Sequence, residues 1–544
     1  MIPSDILLIA SLFVFVFAWW RRGMERRELI LRVALVVALL ASCWGLYLDR
    51  WQAGLGGLIA LGLLLVVFFR RPPSPDLKKL PVISGSVFAV LAVLAFGLIY
   101  LFPIRDLPKP EGPHSVGVLS FELQDQSRKG LFAAGPDEPR RLLVRAWYPA
   151  EPGELGRRAK YFSRDEAKST ARGIGSQLGF PPLLAFARNV KTNSHLDSRP
   201  LSSPDPFPTV IFSHGYGAFS QQNTALMEHL ASHGYAVYSI QHTYDSSPTA
   251  FPGGDVVDVD PALLDDINAE QPPEFSFESN AGERLAARLA VQEFNIERQT
   301  RILKLSTPIW LQDQVFVVDQ LEAGSVPETA RSLVAKSRFD RIGVVGMSFG
   351  GSTAGGFCFE DDRCAAGANM DGLDFHFQPL DQRMPVPFLM LHSDMSLFGE
   401  FFDAPEGAGT YAFNEFSYAS FDDIGTPNDA VRLQVKDLMH MGFSDFSLFM
   451  RRPLRNPLLG AAPSDAIIEI QNDVMLDFLD QTLRSTNRRF PDDVLGEHVD
   501  LLLPLDSPTI SDWWSALSQE GRDDVRREIA ALKARQAEVE VTAR

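Results

Sequence analysis

Arg341-Ile-Gly-Val-Val345, followed without a break by Gly346-Met-Ser-Phe-Gly-Gly351, is the stretch on which the fold turns. A short β-branched run enters G-x-S-x-G, and small residues (Ser352, Ala354, Gly355) follow it. The pattern alone is common. In this setting it predicts a strand-to-helix elbow, a strained turn that lifts one serine above the edge of a sheet while glycines let strand and helix backbones approach. The serine is Ser348. The bland alternative is an ordinary glycine-rich turn.

Working outward, segments of strand and helix character alternate. Strands are expected at 115–124, 142–149, 208–215, 235–240, 341–345, 365–370, 386–391 and 431–435, and helices at 221–233, 309–322, 327–336 and from 350. This order predicts an α/β fold with a mostly parallel sheet and helices on both faces, in the α/β-hydrolase manner. An insertion at 245–300, acidic and proline-rich at first and helical later, sits where a lid would. A helical tail at 506–544, with Trp513, Trp514, Leu517, Val525, Ile529 and Leu532, is expected to pack on the domain or the membrane.

The first hundred residues differ. Apolar runs at 5–20, 29–48, 51–69 and 82–102 are each near the ~20 residues that span a bilayer as a helix. The charges after the first run, and the lack of a small-residue cleavage site, argue for a retained helix rather than a leader. Arg21, Arg22, Arg26 and Arg27 follow the first run, and Arg70, Arg71, Lys78 and Lys79 the third, so the positive-inside rule places those loops in the cytoplasm. The expectation is an all-α four-helix transmembrane anchor (1–103), a proline-rich linker (104–114) and a catalytic domain (115–505) facing the periplasm or exterior from a bacterial inner (plasma) membrane. No charge lies deep inside these runs except Arg32, close to an end, which favours a plain anchor over a transport path.

The formal charge is −17, with twelve Lys and Arg against six Asp and Glu in residues 1–110 and 39 against 62 beyond. So acidic a domain repels phosphate backbones, and nucleic acid is excluded as a partner. Of three cysteines, Cys358 and Cys364 bracket a short acidic stretch and are either two small core residues or a disulfide. Their spacing supplies too few ligands for zinc, and no metal or cofactor is expected.

A nucleophilic serine needs a base, and the base an orienting carboxylate, in the chain order serine, acid, histidine. His376 and His392 come too early and His498 lies beyond the last strand, which leaves His440 as the base. Two acids compete: Asp371, after the strand that follows the elbow, and Asp394, one strand later. The oxyanion hole is expected from the N–H groups of Phe349 and of Tyr216, in the turn His214-Gly-Tyr-Gly217. His214 precedes the serine and is read as a brace for that turn. Phe398, Phe401, Phe402, Phe443, Phe446 and Phe449 either line an acyl pocket or form plain core.

Together Phe212-Ser-His-Gly-Tyr-Gly-Ala218, Gly346-Met-Ser-Phe-Gly-Gly351, Met370-Asp371-Gly372, His440 with Phe443-Ser-Asp-Phe446, and Val144-Arg-Ala-Trp-Tyr-Pro149 resemble the platelet-activating-factor acetylhydrolase family over residues 115–500. The resemblance implies Asp371 as the acid. It also implies metal-free release of short or oxidised acyl groups from phospholipids or other lipophilic esters, here beside a lipid bilayer. Two features depart from the secreted member of that family: the four-helix anchor, and Tyr216 where a smaller aliphatic residue is familiar. Polyester and dienelactone hydrolases share the core, so small soluble or polymer esters are the alternative substrates. A catalytically dead membrane receptor or scaffold is the alternative class.

Overall fold

The computed structural model describes the chain except residues 22, 70–79, 131–137, 178–183, 271, 274–275, 279, 378–381, 398–413, 419, 421–429, 506–507 and 544. Arg22, Arg70, Arg71, Lys78, Lys79, Phe398, Phe401 and Phe402 lie outside the described residues. The chain divides into two compact units, one of Met1–Leu107, Lys160–Lys191 and Leu448–Pro457, the other of Pro108–Ala159, Thr192–Ser447 and Leu458–Arg544. Two stretches assigned to the catalytic domain group with the apolar helices instead.

In the first unit, helices span Pro3–Trp20, Arg27–Tyr47, Ala53–Phe69 and Leu80–Leu101. The first, second and fourth are long and apolar enough to cross a membrane, and Ala53–Phe69, at 17 residues, is shorter. Small and aliphatic residues (Leu12, Leu35, Ala38, Ala60, Ala95) pack the helices together, while Leu40, Leu58, Phe68 and Val82 point outward. An apolar outer face on a tightly packed bundle suits a helix solvated by lipid. At the turn between the second and third helices, Arg50 is closed to solvent. It pairs with Asp5 at 3.2 Å and donates to the carbonyls of Ile99 and Phe102. The neighbouring Asp49 holds Arg188 and Arg172, and Asn189 donates to the Leu48 carbonyl. Phe449 packs on Tyr161 and Phe186.

Among the described residues, the second unit is built on an eleven-stranded sheet. From one edge its order is Leu502–Pro504, Ala430–Val435, Phe388–His392, Cys364–Met370, Ser337–Met347, Phe207–Ser213, Ala236–Gln241, Pro139–Ala150, Ser115–Lys129, Lys191–Leu196 and Arg158–Lys160. The six strands from Ala430–Val435 to Ala236–Gln241 run parallel, and Pro139–Ala150 and Leu502–Pro504 pair antiparallel at the flanks. Side-chain alternation feeds two cores. Val210, Phe212, Val345 and Met347 meet the helices Thr224–Ser232 and Ser464–Leu479, whereas Ile211, Ile342 and Val344 meet Thr307–Glu322, Glu328–Val334 and Phe349–Glu360. Central strands buried on both faces read as continuous apolar runs, which is how the sequence reads here. Each such side chain contributes about 1.5–3 kcal/mol by leaving water.

The insertion carries a two-stranded ribbon (Thr249–Ala250, Val256–Val257) and helices Ala262–Ala269 and Ala281–Arg298. The tail forms helices Pro508–Ala516 and Gln519–Ala543. Ile510, Trp514, Ile529 and Leu532 pack on Leu285, Leu289 and Ile296 of the insertion, and Gln292 donates to Gln536 at 2.8 Å. The tail thus braces the insertion.

Candidate active site

Ser348 stands between the end of Ser337–Met347 and the start of Phe349–Glu360, with φ 56° and ψ −124°. A non-glycine residue with positive φ is strained, and the surroundings must hold it there. They do so through close approach. A Cβ at Gly346 would lie 2.1 Å from the Gly350 carbonyl carbon, and one at Gly350 would lie 2.2 Å from the Ser213 oxygen. The Ser348 N–H donates to the Met370 carbonyl at 2.8 Å, fixing the elbow to the next strand.

His440 reaches Ser348 from a 3-10 turn, His440–Phe443, five residues beyond the strand Ala430–Val435. Its Nε2 lies 2.9 Å from Ser348 Oγ and its Nδ1 2.7 Å from Asp371 Oδ2. The Ser393 N–H donates to the other carboxylate oxygen at 2.7 Å. The Asp371 side chain is 1% exposed and that of His440 42%. The carboxylate is sealed behind the ring, and the ring is open to an incoming molecule.

The competing acid is spent elsewhere. Asp394 accepts the N–H groups of Ser396 and Asp437 and serves the loop after its strand. His392 is buried and His376 half-buried, and the loss of water around each ring lowers both to about 4. His498 pairs with Asp473 at 2.8 Å. Asp473, Glu497 and His498 are near enough to share a cation, but Arg488 already donates to Glu497 and supplies a positive charge there.

The turn 214–217 lies against the elbow, with Gly215 3.3 Å from Ser348 Cβ once a Cβ is built on it. The Gly215 N–H is used by Gln222 Oε1 at 2.8 Å and the Gly217 N–H by the Asp245 carbonyl at 2.9 Å. Among the described residues, the N–H groups of Tyr216 and Phe349 have no acceptor. Those two donors are available to a developing negative charge. His214 is fully buried, its Nδ1 2.7 Å from the Gly215 carbonyl. Burial, and then the neighbouring His242, lower it to about 3, so it is neutral.

Tyr216, Trp310, Phe349 and Phe375 form an aromatic cluster, with Phe349 centred 5.0, 4.9 and 5.1 Å from the other three. The Tyr216 hydroxyl meets Ser306 Oγ at 2.7 Å and accepts from Arg301 Nε at 3.2 Å. Arg301 in turn pairs with Asp245, Asp260 and Asp266, so both ends of the insertion are tied together. Asp245, Arg301 and Trp310 escape a reading of the sequence because each lies far along the chain from its partner, and Gln222 because nothing in the local pattern marks its bond back to the Gly215 N–H. Only the position of the insertion hinted at them. Phe443, Phe446 and Phe449 are buried core. Cys358 and Cys364 are joined by a disulfide, and Cys43 is free.

The geometry has counterparts. Residues 101–498 match the family model for platelet-activating factor acetylhydrolase, isoform II. The platelet-activating factor acetylhydrolase of Canis lupus familiaris is 26% identical over 54% of this chain and 61% of its own length, and that of Cavia porcellus 23% identical over 75% and 85%. A probable 1-alkyl-2-acetylglycerophosphocholine esterase of Arthroderma benhamiae is 25% identical over 49% and 58%. The chain thus spans about three fifths of the canine and fungal relatives' lengths. Among solved structures, a ferulic acid esterase from Streptomyces cinnamoneus superposes with a TM-score of 0.51 at 23% identity, over 74% of this chain and all of that one, which supports the α/β-hydrolase fold. With a match over most of its length, the chain belongs to the platelet-activating factor acetylhydrolase, isoform II family.

Proposed function

We propose that this protein is a membrane-anchored serine ester hydrolase that releases short or modified acyl groups from phospholipids or other lipophilic esters. The observation that carries the reading is the line Ser348 Oγ, His440 Nε2, His440 Nδ1, Asp371 Oδ2, joined by contacts of 2.9 and 2.7 Å. His440 removes the hydroxyl proton as Ser348 attacks the ester carbonyl, and the Tyr216 and Phe349 N–H groups receive the oxyanion. The imidazolium then protonates the leaving alcohol, and water, activated by His440, cleaves the acyl-enzyme. Asp371 holds the ring in the tautomer that presents Nε2 as acceptor.

The substrate class rests on two supports. The aromatic cluster crowds the oxyanion turn and suits a short acyl group. The apolar helices keep the hydrolase unit on a bilayer, where lipid esters are concentrated. By the positive-inside rule, that unit faces the outer side.

The test is hydrolysis of p-nitrophenyl esters of increasing acyl length by the full chain in detergent, with and without Ser348→Ala. Activity that vanishes in the variant and falls with acyl length is expected. Activity that survives Ser348→Ala rules out the serine mechanism. A folded wild type that cleaves no ester and resists a fluorophosphonate supports the scaffold reading.

A further inference from the structure

A second array with the donor pattern of the reactive one lies behind the oxyanion turn. Ser213 Oγ is 2.9 Å from His242 Nε2, and His242 Nδ1 is 3.0 Å from Asp313 Oδ2. All three side chains are closed to solvent, so none can meet a substrate. Arg140 clasps both Asp313 oxygens at 2.6 Å, and Arg128 adds a contact at 2.9 Å. The His242 ring lies flat on Trp310, with centroids 3.9 Å apart and planes at 11°.

One assignment of protons runs through every link of the array. Gln314 Nε2 donates to Ser213 Oγ. The Ser213 hydroxyl donates to His242 Nε2, and His242 Nδ1–H donates to the carboxylate. The His242 backbone N–H donates to His214 Nε2 at 3.3 Å, and His214 Nδ1–H donates to the Gly215 carbonyl. Each link is directional, so the chain of bonds from Ser213 to Gly215 has one low-energy arrangement. It ends at the peptide joining Gly215 to Tyr216. That peptide carries the Tyr216 N–H, the donor the mechanism needs.

We propose that Asp313 and His242 are positioning residues for the oxyanion hole, acting through Ser213 and His214 to fix the Tyr216 N–H while touching no reacting atom. The proposal rests on the serine-hydrolase reading above. Burial holds both His214 and His242 below their ordinary value, in His242 against the opposing pull of Asp313. The array therefore stays in one charge state across neutral pH, as a fixed support requires. Arg140 overrides the cost of burying Asp313 and holds its carboxyl well below the usual range.

The test compares full-length wild type, His242→Phe and Ser213→Ala on p-nitrophenyl acetate, with active sites counted by the end point of fluorophosphonate capture. His242→Phe keeps a ring against Trp310 but breaks both side-chain links. The expected result is a ten- to hundred-fold fall in turnover per titrated site, with KM within two-fold and the acid limb of the pH profile unmoved. Ser213→Ala, a smaller change, is expected to lose three- to ten-fold. Fewer titrated sites with wild-type turnover at each would overturn the proposal, because that is the mark of a merely structural role. Should His242→Phe not fold, Ser213→Ala decides: wild-type turnover per site overturns the proposal. Failure of the wild type itself to capture the fluorophosphonate would instead sink the underlying reading.

Discussion

Arg301 Nε donates to the Tyr216 hydroxyl at 3.2 Å, so the residue that closes the 245–300 insertion grips the side chain of an oxyanion-turn residue. The same guanidinium pairs with Asp245, where the insertion begins. Backbone and side chain of Tyr216 thereby have separate surroundings: the N–H lies in the turn beside Ser348, and the hydroxyl faces the insertion.

Tyr216→Phe separates the two. It keeps the N–H and the ring but removes the bonds to Ser306 and Arg301. Losing a hydrogen bond to a charged group costs about 1.5–3 kcal/mol. The expected outcome is a lower thermal midpoint with kcat on short esters within a few-fold of wild type, read by melting in detergent and steady-state kinetics.

Asp371→Asn and Asp394→Asn distinguish the two acids. Asp371 meets His440 at 2.7 Å, whereas Asp394 accepts the Ser396 hydroxyl and the backbone N–H groups of Ser396 and Asp437, all in its own loops. By analogy with a characterised triad, Asp371→Asn is expected to lower kcat about 10⁴-fold. Asp394→Asn should leave kcat within about ten-fold. Both are measured on p-nitrophenyl acetate after site titration.

Acid should destabilise the hydrolase unit through its buried and half-buried histidines. Burial lowers His229, His376 and His392 to about 4 and His214 to about 3, against an ordinary value of 6.5. The unfolded chain takes up these protons first, so the stability is present above pH 6.5 and is lost as pH falls toward 4. Each group contributes a slope of up to about 1.4 kcal/mol per pH unit in that window. Denaturant unfolding at pH 7, 6 and 5 should show a falling midpoint, and His376→Phe should flatten the slope by one proton.

Most of the central sheet was legible because its strands are short apolar runs bounded by glycine and proline. Ser348 was legible because the elbow is local, with strand, turn and helix consecutive in the chain. His440 followed from chain order. Asp371 needed the family resemblance, since Asp394 also follows a strand, and only the fold shows which carboxylate faces the imidazole. The edge strand Leu502–Pro504 was missed because three residues carry no period. The Arg140–Asp313 and Asp245–Arg301 pairs were invisible for another reason. A charge in a sequence reads as surface until its partner, 173 or 56 residues away, is seen. That Lys160–Lys191 and Leu448–Pro457 group with the apolar helices was equally invisible, since hydropathy marks helices but not the polar and aromatic stretches that pack on them.

That discontinuity has a consequence for synthesis. The four apolar helices leave the ribosome first, yet Lys160–Lys191 and Leu448–Pro457, which belong to the same compact unit, come later. At 5–20 residues per second, the roughly 350 residues between Leu107 and Pro457 take about 20–70 s to make. During that interval Arg50, Asp49 and the faces awaiting Phe186 and Phe449 are incompletely covered. The unit that starts the chain is therefore among the last parts to be finished. A nascent protein halted before residue 457 would present an unfinished surface on its helical unit to quality control, whatever the state of its sheet.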